Sequence, residues 1–262
     1  MDAVRAAGRS VWRTIGILVI AVVVVASGAA AVVTLAQQHA TENKTYFSPV
    51  AAIDIDAGSA EVRIEAGPPD RTTVQTTAAW TLARPVVNQS MHDRTLRISV
   101  RCRTFPRALH CAAVVTVRVG GGVSVRSSGT SGSFSASGLS GDVHAETGSG
   151  EIQLERLSGA VWAQATSGQI VGHGLTSPTV RAAATSGQVI LSLAGPPESV
   201  ALTSTSGQLM LSLPTDGTRY RVTAHTTSGS LDVNPTISDD ASQRRVDITT
   251  TSGSAQVTVS PT

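Results

Sequence analysis

Histidine, aspartate, serine and cysteine are the residue types in this chain whose spacing could support chemistry. The six histidines are His39, His92, His110, His144, His173 and His225. None has a partner at the spacing of a metal-ligand motif. His144-Ala145-Glu146 matches the first half of a zinc-deaminase signature, but no paired cysteines follow it. The sequence therefore predicts no metal site, and it places His144 and His225 at solvent-facing positions of strands.

Other candidate motifs are also incomplete. Asp54–Gly58 (DIDAG) resembles part of a calcium loop but lacks the remaining oxygen ligands and the distal glutamate. Gly120–Gly122 lacks the lysine and the spacing of a phosphate-binding loop. No Gly-x-Ser-x-Gly elbow occurs, and the serines of the repeat described below have no adjacent base. We therefore expect no catalytic residues, no cofactor and no enzymatic activity.

Cys102 and Cys111 are the two cysteines of the chain. Cys102 ends an alternating segment that starts at Leu96, and Cys111 begins another that ends at Val119. This pattern predicts a hairpin with the cysteines on matching faces across the short loop 103–110. In an exported protein it predicts a Cys102–Cys111 disulfide, with two buried thiols as the alternative.

The composition favours many short strands joined by tight turns. Of the 262 residues, aromatic residues make up 3% and charged residues 15%, and small β-forming residues and glycine are frequent. The formal net charge of +2 is nearly balanced and argues against a polyanionic partner such as nucleic acid.

Residues 14–36 form an uncharged run that is long enough to cross the roughly 30 Å of a bilayer core as a helix. Arg5, Arg9 and Arg13 precede the run, and Lys44 is the first basic residue after it. The positive-inside rule then predicts a cytoplasmic tail at 1–13, a helix anchored in the lipid bilayer, and an extracytoplasmic C-terminal part.

A cleaved signal peptide is the alternative interpretation of the same run. Ile15–Val25 would be its apolar core, and Ala26–Ala31 offers small-residue cleavage sites. The uncleaved anchor is favoured because the apolar run continues to Ala36. Both interpretations export the rest of the chain, and the polar residues 37–48 are interpreted as a stalk.

A Ser-Gly repeat dominates the second half of the chain. Successive repeat glycines are 18 to 24 residues apart, and six of the seven close a Thr-Ser-Gly triplet. The repeat glycines are Gly132, Gly150, Gly168, Gly187, Gly207, Gly229 and Gly253. An alternating segment precedes each triplet and another follows it, so each repeat predicts two strands that bury one face.

Two short strands cannot bury that face alone, whereas stacked copies can. The pattern predicts an all-β, single-stack β-solenoid over 125–262, with glycine at each corner to permit φ > 0. Extra residues fall at one corner only, at 194–198, 214–217 and 234–245. Residues 49–124 show a weaker version of the pattern and are predicted to form an N-terminal β region that contains the hairpin.

Three apolar residues break the pattern of polar outward positions. Val171, Ile190 and Met210 each lie three residues after a repeat glycine, where the side chain should point outward. In-register stacking would join them into a stripe. The stripe is a candidate partner contact, and coverage by the N-terminal hairpin or harmless exposure are the alternatives.

The residues after the predicted stalk resemble the bacterial putative-adhesin β-strand-repeat family, a domain of unknown function. The resemblance lies in Val50–Ile64 (VAAIDIDAGSAEVRI), in Leu96–Val119 and in the Ser-Gly repeats from Ser131 to Val259. It implies a surface-exposed β-solenoid with an adhesive role, and it supplies no catalytic residues.

Architecture and resemblance together predict a membrane-tethered, adhesin-like structural or interaction module at the cell surface. A cell-wall polymer or a membrane protein is the expected partner. One alternative is the ectodomain of an envelope-stress sensing system, which would need a partner because the tail 1–13 is too short to signal. A glycan-binding module that uses the Thr and Ser ladders is the other.

Overall fold

The computed structural model describes residues 38–81, 84–102 and 111–259. These residues form nineteen β-strands and one short 3-10 helix, Pro235–Ile237, so the all-β prediction is confirmed. The predicted membrane helix, residues 14–36, lies outside the described residues. Within the described ranges, no helix is long and apolar enough to cross a membrane.

The strands are arranged as two stacks, which we call the first and second sheets. Within each stack, neighbouring strands of the repeats run parallel and in register. The first sheet contains β2 (Ala52–Gly58), β5 (Val86–His92), β6 (Thr95–Arg101), β8 (Ser124–Gly129), β10 (Val143–Thr147), β12 (Val161–Ala165), β14 (Thr179–Ala184) and β16 (Ser199–Ser204). The second sheet contains β1 (Gln38–Tyr46), β3 (Glu61–Gly67), β4 (Thr72–Trp80), β7 (Cys111–Gly120), β9 (Phe134–Ser137), β11 (Glu151–Glu155), β13 (Gln169–Leu175), β15 (Gln188–Leu193) and β17 (Gln208–Leu213).

Each repeat forms one coil, which is a first-sheet strand, a corner and a second-sheet strand. The last two coils are continuous strands that pass through the corner and belong to both sheets: β18 (Arg221–Val233) and β19 (Arg245–Val259). The backbone hydrogen bonds also continue round the corner, for example from Ser186 N–H to Thr166 O at 2.8 Å.

The core lies between the two sheets. In β12, Val161, Ala163 and Ala165 are buried, whereas the alternate residues Trp162 and Gln164 point outward. A single apolar cluster extends through the coils from Ile53 to Val257. The predicted boundary between 49–124 and 125–262 therefore does not interrupt the core, and β2 pairs directly with β8 across it.

The coils do not stack in chain order at the two ends. At the C-terminal end, β19 pairs with β16 and β17 on one side and with β18 on the other. At the N-terminal end, the coil of β2 and β3 lies between the coil of β6 and β7 and the coil of β8 and β9. The sequence pattern predicted stacked repeats but contained no sign of these two exchanges.

The N-terminal region differs from the prediction in two further ways. The predicted stalk forms β1, which pairs antiparallel with β4 at the edge of the second sheet. The predicted hairpin between Leu96 and Val119 does not form, because β6 and β7 belong to different sheets. The hairpin that does form joins β5 to β6 through Asp93 and Arg94, both at positive φ, as a type I′ turn requires.

The change of topology does not decide the cysteine prediction. Cys102 follows β6 and Cys111 begins β7, so the loop 103–110 connects the two sheets rather than two paired strands. That loop and the Cys111 side chain lie outside the described residues. The structure has no free cysteine in its described ranges, and the Cys102–Cys111 disulfide stays a prediction.

The repeat glycines lie at the corners, as predicted, but the predicted reason for glycine is wrong at six of the seven. Among the repeat glycines only Gly229 has a positive φ. At Gly187, a Cβ atom would lie less than 3.0 Å from the Gly168 carbonyl oxygen, and all seven corners show the same close approach to the neighbouring coil. Glycine is needed there because the next coil's backbone occupies the space of a side chain.

The close approach predicts a large cost for even one methyl group at a corner. Gly187→Ala should destabilise the protein by about 1–3 kcal/mol, as overpacking in a close-packed interior does. Gly122→Ala is the matched control: its Cβ would meet one atom at 3.9 Å, so its cost should stay within about 0.5 kcal/mol. Denaturant unfolding of both variants tests this, and equal losses would contradict the stacking of the corners.

Candidate functional site

In-register stacking aligns the outward side chains into columns on both flat faces. One column in the first sheet contains Arg126, His144, Trp162 and Arg181, which are direct neighbours on β8, β10, β12 and β14. Neighbouring strands are about 4.8 Å apart. The side chains of one column can therefore touch one another, and a column presents a continuous surface to a partner.

The His144 and Trp162 rings form the centre of this column. Their centroids are 3.9 Å apart, and their planes differ by 11°. His144 Nε2 lies 2.8 Å from Glu146 Oε1 on the same strand. The carboxylate fixes the orientation of the imidazole against one face of the indole, and Arg181 lies on the neighbouring strand at the other side of Trp162.

A shallow notch of about 170 Å³ opens beside Trp162. The residues that line it are Trp162, Ala163, Arg181, Ala182, Ala183, Ala201 and Thr203. The notch exists because alanine occupies outward positions of β14 and β16, where longer side chains would fill the space. It therefore combines an aromatic wall, a guanidinium group and a floor of small side chains.

Arg126 and Arg181 are without an ion pair in the described part of the chain. Arg97, in contrast, donates a hydrogen bond from Nε to Asp54 Oδ2 at 3.1 Å. Asp54 is the strand neighbour of both Arg97 and Arg126, and its carboxylate bonds to Arg97. The column therefore has one guanidinium on each side of the aromatic pair.

This column was not among the sequence predictions, although the sequence contains a signal for it. Arg126, His144, Trp162 and Arg181 each lie six residues before a repeat glycine. Equal offsets from the corner place residues on the same column, as the strand register shows. In the sequence, equal offsets were compared only for the strands that follow the glycines.

The predicted apolar stripe lies in the second sheet. Val171 on β13, Ile190 on β15 and Met210 on β17 are in-register neighbours and half-buried. Gln153 and Gln256 continue the column at its two ends. Coverage of the stripe by the predicted Leu96–Val119 hairpin was an alternative, but that hairpin does not form, and its second strand, β7, pairs with β3 and β4.

An amide ladder runs beside the stripe. Gln169 donates from Nε2 to Gln188 Oε1, and Gln188 donates in the same way to Gln208, both at 3.5 Å. These glutamines are neighbours because the coils stack in register. The second sheet thus presents a polar column and an apolar column side by side.

The other candidate residues do not converge on a reactive centre. His39, His92, His173 and His225 are exposed on separate strands, and His110 lies outside the described residues. The described ranges contain no group of three or more histidine, cysteine, aspartate or glutamate residues that could hold a metal ion. Asp54 is on the outward side of β2 and Asp56 is exposed, as the sequence predicted.

Two shifted pKa values occur in the segment that leads into β18, and both have structural causes. The Thr218 backbone N–H donates to Asp216 Oδ1 at 2.9 Å, which holds the pKa of that carboxyl below its usual value. Burial raises the pKa of Tyr220 to about 12, with a smaller contribution from the Asp216 charge. Neither group lies in the columns described above.

No curated protein matches the chain at a significant level. Solved structures that match the chain include a "putative adhesin" from Parabacteroides merdae, which is 13% identical, with 86% of this chain and 97% of that chain covered and a TM-score of 0.48. A "putative adhesin" from Bacteroides fragilis is 12% identical, with 84% and 97% covered and a TM-score of 0.47. A "putative lipid binding protein" from Parabacteroides distasonis is 14% identical, with 84% and 97% covered and a TM-score of 0.33.

The family model described as Toastrack DUF4097 matches residues 124–262, which is just over half of the chain. The match begins at β8 and includes all seven repeat corners. The chain therefore belongs to the Toastrack DUF4097 family.

Proposed function

We propose that this protein is a non-catalytic, adhesin-like interaction module that a membrane helix holds outside the cell. The observation that supports this most is the division of the side chains between an inward core and two outward faces. The inward residues of both sheets form one apolar core, and the outward residues form in-register columns on two flat faces. Such faces suit an extended partner better than a small substrate.

The position of β1 fits a tether at the N-terminus. Strand β1 begins at Gln38, directly after the predicted membrane segment 14–36, and it pairs with β4 at one end of the stack. The β18 coil forms the opposite end. Ten strand spacings of about 4.8 Å separate β1 from β18 in the second sheet, so a tether at β1 would place the β18 end roughly 48 Å further from the membrane.

A cell-wall polymer or another membrane protein is the partner that we propose. The apolar stripe of Val171, Ile190 and Met210 is the candidate contact for a protein partner, since it is aligned and half-buried on an outward face. A sensing ectodomain remains the second candidate function and would act through such a membrane-protein partner.

Lys44 offers a direct test of the topology, because it is the single lysine of the chain and is exposed on β1. A membrane-impermeant amine reagent added to intact cells should label Lys44 and leave the N-terminal amine unlabelled. Lys44→Arg keeps the charge and should abolish labelling. Peptide mapping by mass spectrometry identifies the modified amine in each case.

Two other labelling patterns would contradict the tether. If the N-terminus lies outside, the reagent will modify the Met1 amine, and Lys44→Arg will still be labelled. If the segment is a cleaved signal, a new N-terminal amine after the cleavage site will be labelled, and the protein will leave the membrane fraction.

The stripe can be tested together with partner capture. The full chain, crosslinked in intact cells, should be recovered with cell-wall material or an envelope protein. Val171→Ser, Ile190→Ser and Met210→Ser combined should abolish recovery of a protein partner and lower Tm by only about 2–4 °C, since outward cross-strand pairs contribute little.

The buried neighbour Val189 supplies the control for this experiment. Val189→Ser should lower Tm much further, because Val189 is fully buried. A triple variant as unstable as Val189→Ser would show that the stripe is part of the core. A folded triple variant that still captures the partner would show that the stripe is not the contact, and recovery of no envelope component by the wild type would contradict the proposed function.

A further inference from the structure

Building on the proposed interaction role, we propose that the notch between Trp162 and Arg181 binds an acidic sugar unit of a polysaccharide. The sugar ring would lie over Ala183 and Ala201 with its C–H groups against Trp162, and its carboxylate would accept hydrogen bonds from Arg181. The site is this notch in the first sheet rather than the Thr and Ser ladders of the predicted glycan-binding alternative.

The aromatic wall is preorganised for stacking. His144 covers one face of the indole at a centroid distance of 3.9 Å, and Glu146 holds His144 through the 2.8 Å contact. The indole is therefore supported on one side, and Trp162 also lines the notch. The negative face of an aromatic ring attracts the weakly positive C–H groups on one side of a sugar ring.

The charge of the notch selects an acidic ligand. Arg181 lines the notch and makes no ion pair with another described residue. A guanidinium is a planar fork of donors that matches a carboxylate. Glu146 is the carboxylate closest to the aromatic pair in the sheet register, and it is bonded to His144. Asp247 lies two strands beyond Arg181. Neither carboxylate forms an ion pair with Arg181 in the described part of the chain.

The second guanidinium suggests a ligand of more than one sugar. Arg126 lies three strands from Arg181, about 14 Å away along the column. A linear acidic polysaccharide could place one carboxylate at each arginine and a ring against the aromatic pair between them. Asp54, the neighbour of Arg126 on the far side, bonds to Arg97, and Asp142, which lines the same depression as Arg126, accepts from the Ala160 backbone N–H.

The size of the site favours a sugar over a folded protein or a nucleic acid. A notch of about 170 Å³ with an alanine floor accepts one small ring, and it opens on a flat face along which an extended chain can continue. The net charge of +2 argued against a polyanion, but that value averages over the whole chain. The net charge does not reflect the local arrangement, in which two arginines without an ion pair among the described residues flank an aromatic pair.

Titration of the full chain in detergent with short oligogalacturonates tests the proposal. Neutral oligogalactosides of equal length, and polyphosphate, are the comparison probes. We expect binding of the oligogalacturonate that weakens with added salt, little binding of the neutral sugar, and weaker binding of polyphosphate, which has no ring to stack. Calorimetry gives the Kd for each probe.

Two variants remove the two halves of the site. Trp162→Ala and Arg181→Gln should each weaken oligogalacturonate binding about tenfold or more. Arg71→Gln is the matched charge control, since Arg71 is exposed and lies outside the column, and it should bind like the wild type. If Trp162→Ala proves unstable, Trp162→Phe takes its place in the binding comparison. The thermal midpoints of Trp162→Phe and Arg181→Gln should equal that of the wild type, which shows that any loss of binding is not a loss of folding.

Several outcomes would overturn the proposal. They are failure of the wild type to bind oligogalacturonate, equal affinity for the neutral sugar or for polyphosphate, and unchanged affinity in both Trp162→Ala and Arg181→Gln. Each of these leaves the proposed function standing if Lys44 labelling and envelope capture succeed. The acidic-sugar site and the proposed function can therefore be refuted independently.

Discussion

Each corner glycine lies so close to the backbone of the neighbouring coil that no side chain fits between them. The approach at Gly150, Gly168 and Gly187 is the same from coil to coil, and it forces consecutive coils to stack without a shift. Since the side chains of a strand alternate in direction, one fixed corner determines which residues of the whole coil point inward. The core and the outward columns therefore both depend on this contact.

The order of the coils at the C-terminal end follows from how well each coil can be buried. Inward residues of β19 such as Val246, Ile248 and Val257 are buried between neighbours on both sides. The corresponding residues of β18 are only half-buried, and its Leu231 is 39% exposed. Placing β19 inside and β18 at the end buries the more apolar coil. The segment 234–244 is long enough to let the chain turn back.

The sequence predicted the parts of the fold that repeat. Alternation around the Ser-Gly triplets identified the two strands of each coil, the corner and the single corner at which insertions occur. It could not predict the exchanged order of the end coils, because β18 and β19 carry the same pattern and either could stack on β17. It also paired β6 with β7, because a short loop between two apolar strands is equally compatible with a hairpin and with a corner.

The candidate contact surfaces were predictable only where residues at equal offsets from the repeat glycines were compared. Val171, Ile190 and Met210 were found because their common offset from the glycine was compared across repeats. His144 and Trp162 share an offset in the same way, but their contact depends on ring orientation, which Glu146 sets and which sequence spacing does not encode. The notch depends in addition on Ala183 and Ala201, whose importance lies in the space they leave.

The order of the coils is tested most directly by disulfide crosslinking in a chain with Cys102→Ser and Cys111→Ser. Met210 is the neighbour of Gln256, whereas Asp232 lies one strand further away. Adjacent strands are about 4.8 Å apart and strands once removed about 9.6 Å, and a disulfide reaches about 6.8 Å between Cα atoms. Met210→Cys with Gln256→Cys should therefore crosslink on oxidation, and Met210→Cys with Asp232→Cys should not. The reverse result would show that the coils stack in chain order and would contradict this account.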